Sequence, residues 1–162
     1  MLLRLSLVIL CLCLLSSPLS AQQLSGTVSW IYDGDTLRVE PFGKVRLLGI
    51  DTPESRDSDR DRYYRVNFGI SSKRLRQIAH RAKQFNIKRV KGKRVQLRFD
   101  SETRDKYGRT LAYLYLPDGR LLNRLLLEKG LASVFRRYSF RQKTDFLAAE
   151  KAARLARLGL WQ

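Results

Sequence analysis

Alternation of apolar and polar positions dominates the first third of the chain. Residues 25–33, SGTVSWIYD, read as a strand leading into an Asp33-Gly34 turn. Residues 36–41, TLRVEP, alternate as a second strand, and Phe42-Gly43 turns the chain back. The stretch VRLLGIDTPE, residues 45–54, then forms the third strand of a meander, with Val45, Leu47, Leu48 and Ile50 placing apolar groups on both faces. Residues 55–70 mix charges and aromatics with no clean period, which predicts a long surface loop. Residues 71–86 carry Leu75, Ile78, Ala79, Ala82 and Phe85 on one helical face, with Ser71 or Ser72 as cap. His80, the single histidine, falls off that stripe and is read as a surface residue.

Farther on, Val95, Leu97 and Phe99 alternate inward in a fourth strand over 93–100, and residues 111–117, LAYLYLP, make a fifth. A short helix over 121–130 stops at Gly130, and a longer one over 141–159 spaces Phe146, Ala149, Ala153 and Ala156 helically. Trp30 and Trp161 are both read as packing residues. Five short strands with three helices predict an α+β chain with a mainly β core: a five-stranded Greek-key barrel of the OB type, a fold whose face often binds oligonucleotides.

The N-terminal pattern is different. Arg4 precedes an apolar run from Leu5 to Leu15, followed by small residues and Pro18, the layout of a secretory signal. Cleavage is expected after Ala21, giving domains at 1–21 and 22–162; an uncleaved membrane anchor is the alternative. Export predicts a secreted or periplasmic protein. Cys11 and Cys13, the only cysteines, lie in this segment, so the mature chain needs no disulfide.

Composition adds one fact that changes the picture. The net charge of +17 becomes +16 once Arg4 is removed, and residues 62–99 hold thirteen Lys or Arg with no Asp or Glu. A surface so charged fits a polyanion, either nucleic acid or an acidic envelope polymer.

Three segments carry candidate chemistry: DGDT at 33–36, VRLLGIDTPE at 45–54, and DKYGRTLAY at 105–113. Asp-Gly is a hairpin signal, and Asp33 is assigned a turn role. Arg46, set in an apolar strand, needs either a structural ion pair with Asp51 or Glu54 or a bound anion. In this order, and with a terminal GLW, the segments closely resemble the staphylococcal nuclease (thermonuclease) family over residues 25–161. The resemblance implies an OB-type barrel and calcium-dependent hydrolysis of DNA and RNA to 5′-hydroxyl and 3′-phosphate products. It implies Asp35, Asp51 and the Thr52 carbonyl as Ca2+ ligands, Glu54 as the residue that orients or deprotonates water, and Arg46 and Arg109 as the catalytic arginines. Lys106, Tyr107 and Tyr138 match nucleotide-contacting positions, although packing explains the two tyrosines equally well. The residue types suit this chemistry. Calcium takes oxygen ligands, and arginine presents a permanently charged fork to phosphate. Residues 55–70 depart from the family pattern. No protein partner is implied, and a monomer is expected. Two other readings compete: an OB barrel that binds nucleic acid or another polyanion without cutting it, and a cationic adhesion protein.

Overall fold

The computed structural model describes residues 24–162, so the expected signal or anchor at 1–21 lies outside the described residues. Strands β1 (Leu24–Ile31), β2 (Thr36–Glu40), β3 (Gly43–Leu47), β5 (Arg94–Arg98) and β6 (Thr110–Tyr115) close into a barrel in the order β1-β2-β3-β6-β5. Every pairing is antiparallel except β3 with β6, which run parallel. Alternation fills the interior: Val28, Leu37, Val39, Val45, Leu47, Val95, Leu97, Ala112 and Leu114 point inward and are buried. The five-stranded barrel expected from the pattern is therefore present.

The third strand is shorter than its sequence suggests. It ends at Leu47, and Gly49, at φ +80°, turns the chain away from β6. Ile50–Asp51 then forms β4, which pairs with β7 (Ser133–Val134) in a separate two-stranded sheet, Asp51 opposite Ser133. Buried Asn123 clamps the turn, donating to the Leu48 carbonyl at 2.9 Å and accepting from the Leu114 N–H at 3.1 Å. Its own helix, α3 (Leu122–Glu128), packs on α4 (Lys143–Leu155). The chain ends in a 3-10 turn at Gly159–Trp161.

Two expectations are corrected. The stretch expected as a loop contains a fourth helix, α1 (Asp59–Phe68), before α2 (Ser72–Val90). Asp59 and Asp61 favour its N-terminus, and left-handed Gly69 caps it, with Gly69 N–H bonding the Arg65 carbonyl and Ile70 N–H the Tyr64 carbonyl. Its inward face is Asp61, Tyr64 and Phe68, at i, i+3 and i+7. The hydroxyl of Tyr64 and the carboxylate of Asp61 hide that face from a hydrophobicity reading. Asp61 is buried because the Arg76 guanidinium of α2 meets it at 2.5 Å. Trp161 does pack, edge-on against Phe68 at 5.3 Å and under the Arg154 guanidinium at 4.1 Å. Trp30 does not: it exposes 51 % of its surface on the outside of β1. His80 is exposed, as expected.

Candidate active site

The DGDT turn builds one wall. Asp33 Oδ1 accepts the N–H groups of Asp35 at 3.0 Å and Thr36 at 2.7 Å, the Asx geometry that lets aspartate shape a turn. Asp33 thus has its turn role. Burial pushes its carboxyl pKa above the ordinary value, against the pull of Arg46. Gly34 is required by packing: a Cβ there would stand 2.7 Å from Thr52 Oγ1 and from Ala82 Cβ. The turn therefore lies flat against the Thr52 segment.

That contact delivers Asp35. Its Oδ2 accepts from the Thr52 N–H at 2.8 Å and from the Thr52 hydroxyl at 2.9 Å. Its Oδ1 accepts from the Thr36 hydroxyl at 3.1 Å and pairs with Arg46 Nη1. Asp35 is 2 % exposed and Thr52 4 %.

Arg46 joins the two walls. Its second terminal nitrogen, Nη2, donates to Asp51 Oδ1 at 3.2 Å and to the Ile50 carbonyl at 3.3 Å. One guanidinium thus bridges Asp35 and Asp51. Burial draws the Arg46 pKa down; Asp51 opposes this, while the like charge of Arg109 adds to it. The ion-pair partners of Arg46 are Asp51, as expected, and Asp35, which the linear spacing does not suggest. Glu54 makes no ion pair among the described residues and faces solvent at the edge of the cluster. Partial desolvation and then the nearby Asp33 charge raise its pKa.

Arg109 enters from the other strand of the parallel pair. Val45 stands opposite Thr110 and Arg46 opposite Leu111, so Arg109 lies at the head of β6 beside β3. Asp105 holds it, accepting from its Nε at 2.7 Å and its main-chain N–H at 3.0 Å. With Nε committed, the two terminal nitrogens remain to face an anion.

The remaining predicted residues fall into two groups. Tyr107 is 71 % exposed, with Lys106 Nζ 5.0 Å and Arg109 Cζ 5.4 Å from its ring centre. Tyr107 and Lys106 thus stand at the Arg109 side of the cluster, and Tyr107 is no core residue. Tyr138 is 58 % exposed and packs on Phe135 with ring centres 5.6 Å apart. Its neighbour Phe135 has its ring 5.7 Å from the Arg60 guanidinium.

Arg60 and Tyr64 of α1 were not predicted. Arg60 donates to Asp51 Oδ2 through Nε at 3.1 Å and Nη2 at 2.8 Å. The fully buried Tyr64 hydroxyl lies 3.1 Å from that same oxygen and 3.0 Å from Ser133 Oγ on β7. Burial and the Asp51 charge push the Tyr64 pKa well up, so it stays a neutral donor. The available sequence signal was the Arg-Asp alternation of residues 56–62, which marks charge pairing without naming partners.

Among the described residues no group of three His, Cys, Asp or Glu side chains is placed to hold a metal ion. Two carboxylates, Asp35 and Asp51, converge instead, on one guanidinium.

A barrel with this cluster on its rim matches a known family. The model of the staphylococcal nuclease homologues fits residues 44–162. The chain is 34 % identical to the thermonuclease of Staphylococcus intermedius over 140 residues, which span 83 % of this chain and 74 % of that one. It is 40 % identical to protein MJ1439 of Methanocaldococcus jannaschii over 147 residues, 84 % and 70 % of the two chains. It is 33 % identical to the Bacillus subtilis endonuclease YncB over 141 residues, 83 % and 60 %. The chain belongs to the staphylococcal nuclease family.

Proposed function

We propose that this protein is a calcium-dependent nuclease that hydrolyses DNA and RNA phosphodiesters to 3′-phosphate and 5′-hydroxyl ends. The observation that carries this reading is the bridge from Asp35 through Arg46 to Asp51. Two largely buried carboxylates facing one positive charge are costly unless a cation is always near. Asp35, Asp51 and the Thr52 carbonyl form an oxygen-only donor set, which fits a hard cation such as calcium. Two carboxylates make such a site weak, which suits an exported protein. When bound, calcium supplies a Lewis acid for a phosphoryl oxygen and lowers the cost of forming hydroxide from water.

The chain's own residues do the rest. Glu54, unpaired at the edge, accepts a proton from the attacking water. The water oxygen bonds to phosphorus as the bond from phosphorus to O5′ breaks, and the departing O5′ takes a proton from solvent water while the proton on Glu54 is later released to solvent. Arg46 and Arg109 meet the charge that grows on the phosphoryl oxygens, where preorganised donors count most. Asp105 fixes the direction of Arg109. Lys106, Tyr107 and Tyr138 serve as nucleotide contacts around this centre. The N-terminal pattern supports export, to the periplasm or the medium, with a membrane anchor as the alternative.

The decisive assay is digestion of single-stranded DNA and RNA with calcium, with and without chelator, followed by analysis of product ends. Cleavage that needs calcium and leaves 5′-hydroxyl ends is expected. Cleavage that persists in chelator, or 5′-phosphate ends, would refute the assignment. Stable uncut complexes in calcium would favour a non-catalytic binding barrel.

A further inference from the structure

The exposed Trp30 has a place in the sheet that gives it a use. Pairing of β1 with β2 sets Trp30 opposite Arg38, and pairing of β2 with β3 sets Arg38 opposite Lys44. Two residues past Lys44 on the same strand is Arg46. Side chains alternate along a strand, so Lys44 and Arg46 share one face, and Arg38, opposite Lys44, and Trp30, opposite Arg38, lie on it with them. A register shift between Val28 and Trp30, where β1 bulges, places Ser29 and Trp30 in succession on the outside. Tyr32, 36 % exposed, flanks the row.

Cations interleave these rings. Lys91 Nζ stands 5.1 Å from the Trp30 ring centre, and Lys44 Nζ stands 4.7 Å from that of Tyr32. The acid on this row is Glu40, 2.6 Å from Arg38 and bonded to Ser29. The face therefore carries a net positive charge and two exposed aromatic rings, and it shares strand β3 with Arg46. That combination suits an extended strand of nucleic acid: cations follow its phosphates, and rings accept any base by stacking. A duplex keeps its bases turned inward and gains only the charge.

We infer that Trp30, Tyr32, Arg38, Lys44 and Lys91 form a binding track for single-stranded nucleic acid that leads toward Arg46, with Trp30 as its stacking platform. The inference rests on the nuclease reading for the direction of the track, not for its existence. From Arg46, Trp30 lies two strands across and two residues along, roughly 12 Å away. A dinucleotide centred at Arg46 falls short of it, and a longer strand covers it.

The test is binding in chelator, where nothing is cut, of a fluorescent twelve-nucleotide oligothymidylate and of a thymidine dinucleotide. Trp30→Ala is expected to weaken the long oligomer about tenfold, the size of one stacked base, and to change the dinucleotide by less than about twofold. Trp30→Phe, which keeps a ring, should restore most of the affinity. The long oligomer should quench tryptophan emission in the parent protein and much less in Trp30→Ala, since Trp161 is partly buried against Phe68 and Arg154, away from this face. Equal affinity of parent and Trp30→Ala for the long oligomer overturns the track. So does an equal loss of heparin binding in Trp30→Ala, because heparin has no bases to stack. Trp30-dependent binding with no cleavage in calcium supports the track and removes the nuclease reading instead.

Discussion

Arg60 grips one oxygen of Asp51 with two nitrogens, Nε at 3.1 Å and Nη2 at 2.8 Å, while the other oxygen of that carboxylate faces Arg46. A proposed calcium ligand is thus held between two arginines from different elements, β3 and α1. The same guanidinium lies 4.5 Å from the ring centre of Tyr63, so α1 delivers it in one orientation.

Removing Arg60 should therefore tighten calcium binding. Arg60→Ala takes away a competing positive charge, while Tyr64 and the Ser133 pairing keep Asp51 in place. The expected gain is roughly tenfold, the effect of one unit charge a few ångströms away in a half-wet site. Calorimetric calcium titration reads it. Weaker binding in the variant would show that the grip aligns Asp51 more than it competes for it.

Arg46 has a structural part and a proposed catalytic part that substitutions separate. Arg46→Ala leaves Asp35 and Asp51 facing each other with no cation between them. The metal-free protein should lose about 2–3 kcal/mol, less than a fully buried pair would. Calcium should then raise its melting temperature more than it raises that of the parent. Turnover should fall by about 10²–10³. Arg46→Lys keeps the charge without the fork, so much of the stability should return while the rate stays low. Thermal melts with and without calcium, beside rate measurements, check both halves.

The acid side of the stability profile should depend on Asp105 and Asp100. Burial raises the Asp105 pKa, but the Arg109 side chain and the N–H groups of Arg109 and Tyr107 outweigh it and hold the value below the ordinary 3.8. Burial likewise opposes the N–H of Arg141 and the Tyr113 hydroxyl at Asp100, and loses. Because the folded values lie below the unfolded ones, both contributions are complete above the ordinary value. They vanish as pH falls through the depressed ones. Asp105→Asn and Asp100→Asn should each cost about 1 kcal/mol at neutral pH and almost nothing near pH ~2. Urea unfolding at the two pH values measures this. Asp105→Asn should also slow turnover, because Arg109 loses its tether; Asp100→Asn should not.

Glu150 supports the site from behind. It is 2 % exposed, accepts the Val134 N–H of β7 at 3.0 Å, pairs with Arg136, and lies 3.4 Å from Arg154 Nη2. Glu150→Ala strands two guanidinium groups and a strand N–H, and should cost about 3 kcal/mol. Since β7 pairs with Asp51, calcium affinity should fall as well. Unchanged affinity in a folded variant would mean that β4 keeps its place without this support.

Residues that act through neighbours on one strand were legible early. The alternation read over 36–41 and 93–100 survives in β2 and β5, the latter ending at Arg98, because inward and outward positions differ in chemistry. Asp35, Arg46, Asp51, Glu54 and Arg109 were legible only as a spaced set that resembles a family. Nothing in the spacing said that Arg46 bridges Asp35 and Asp51, because those partners lie on opposite sides of it in sequence. Helix α1 was missed because its buried face is Asp61 and Tyr64, polar groups whose burial makes sense only beside Arg76, Asp51 and Ser133. Trp30 was misplaced because a bulge in β1 changes the parity that alternation assumes.

By itself, the sequence determined the barrel's strands, most of its helices, and the residue types available for phosphodiester chemistry. These follow from short-range periodicity and from side-chain chemistry that no partner alters. Tertiary structure alone decided which cation meets which carboxylate, which aromatic ring reaches solvent, and which helix stands over the site. A charge or a ring is stabilised by what lies across from it in space, and chain order does not record that neighbour.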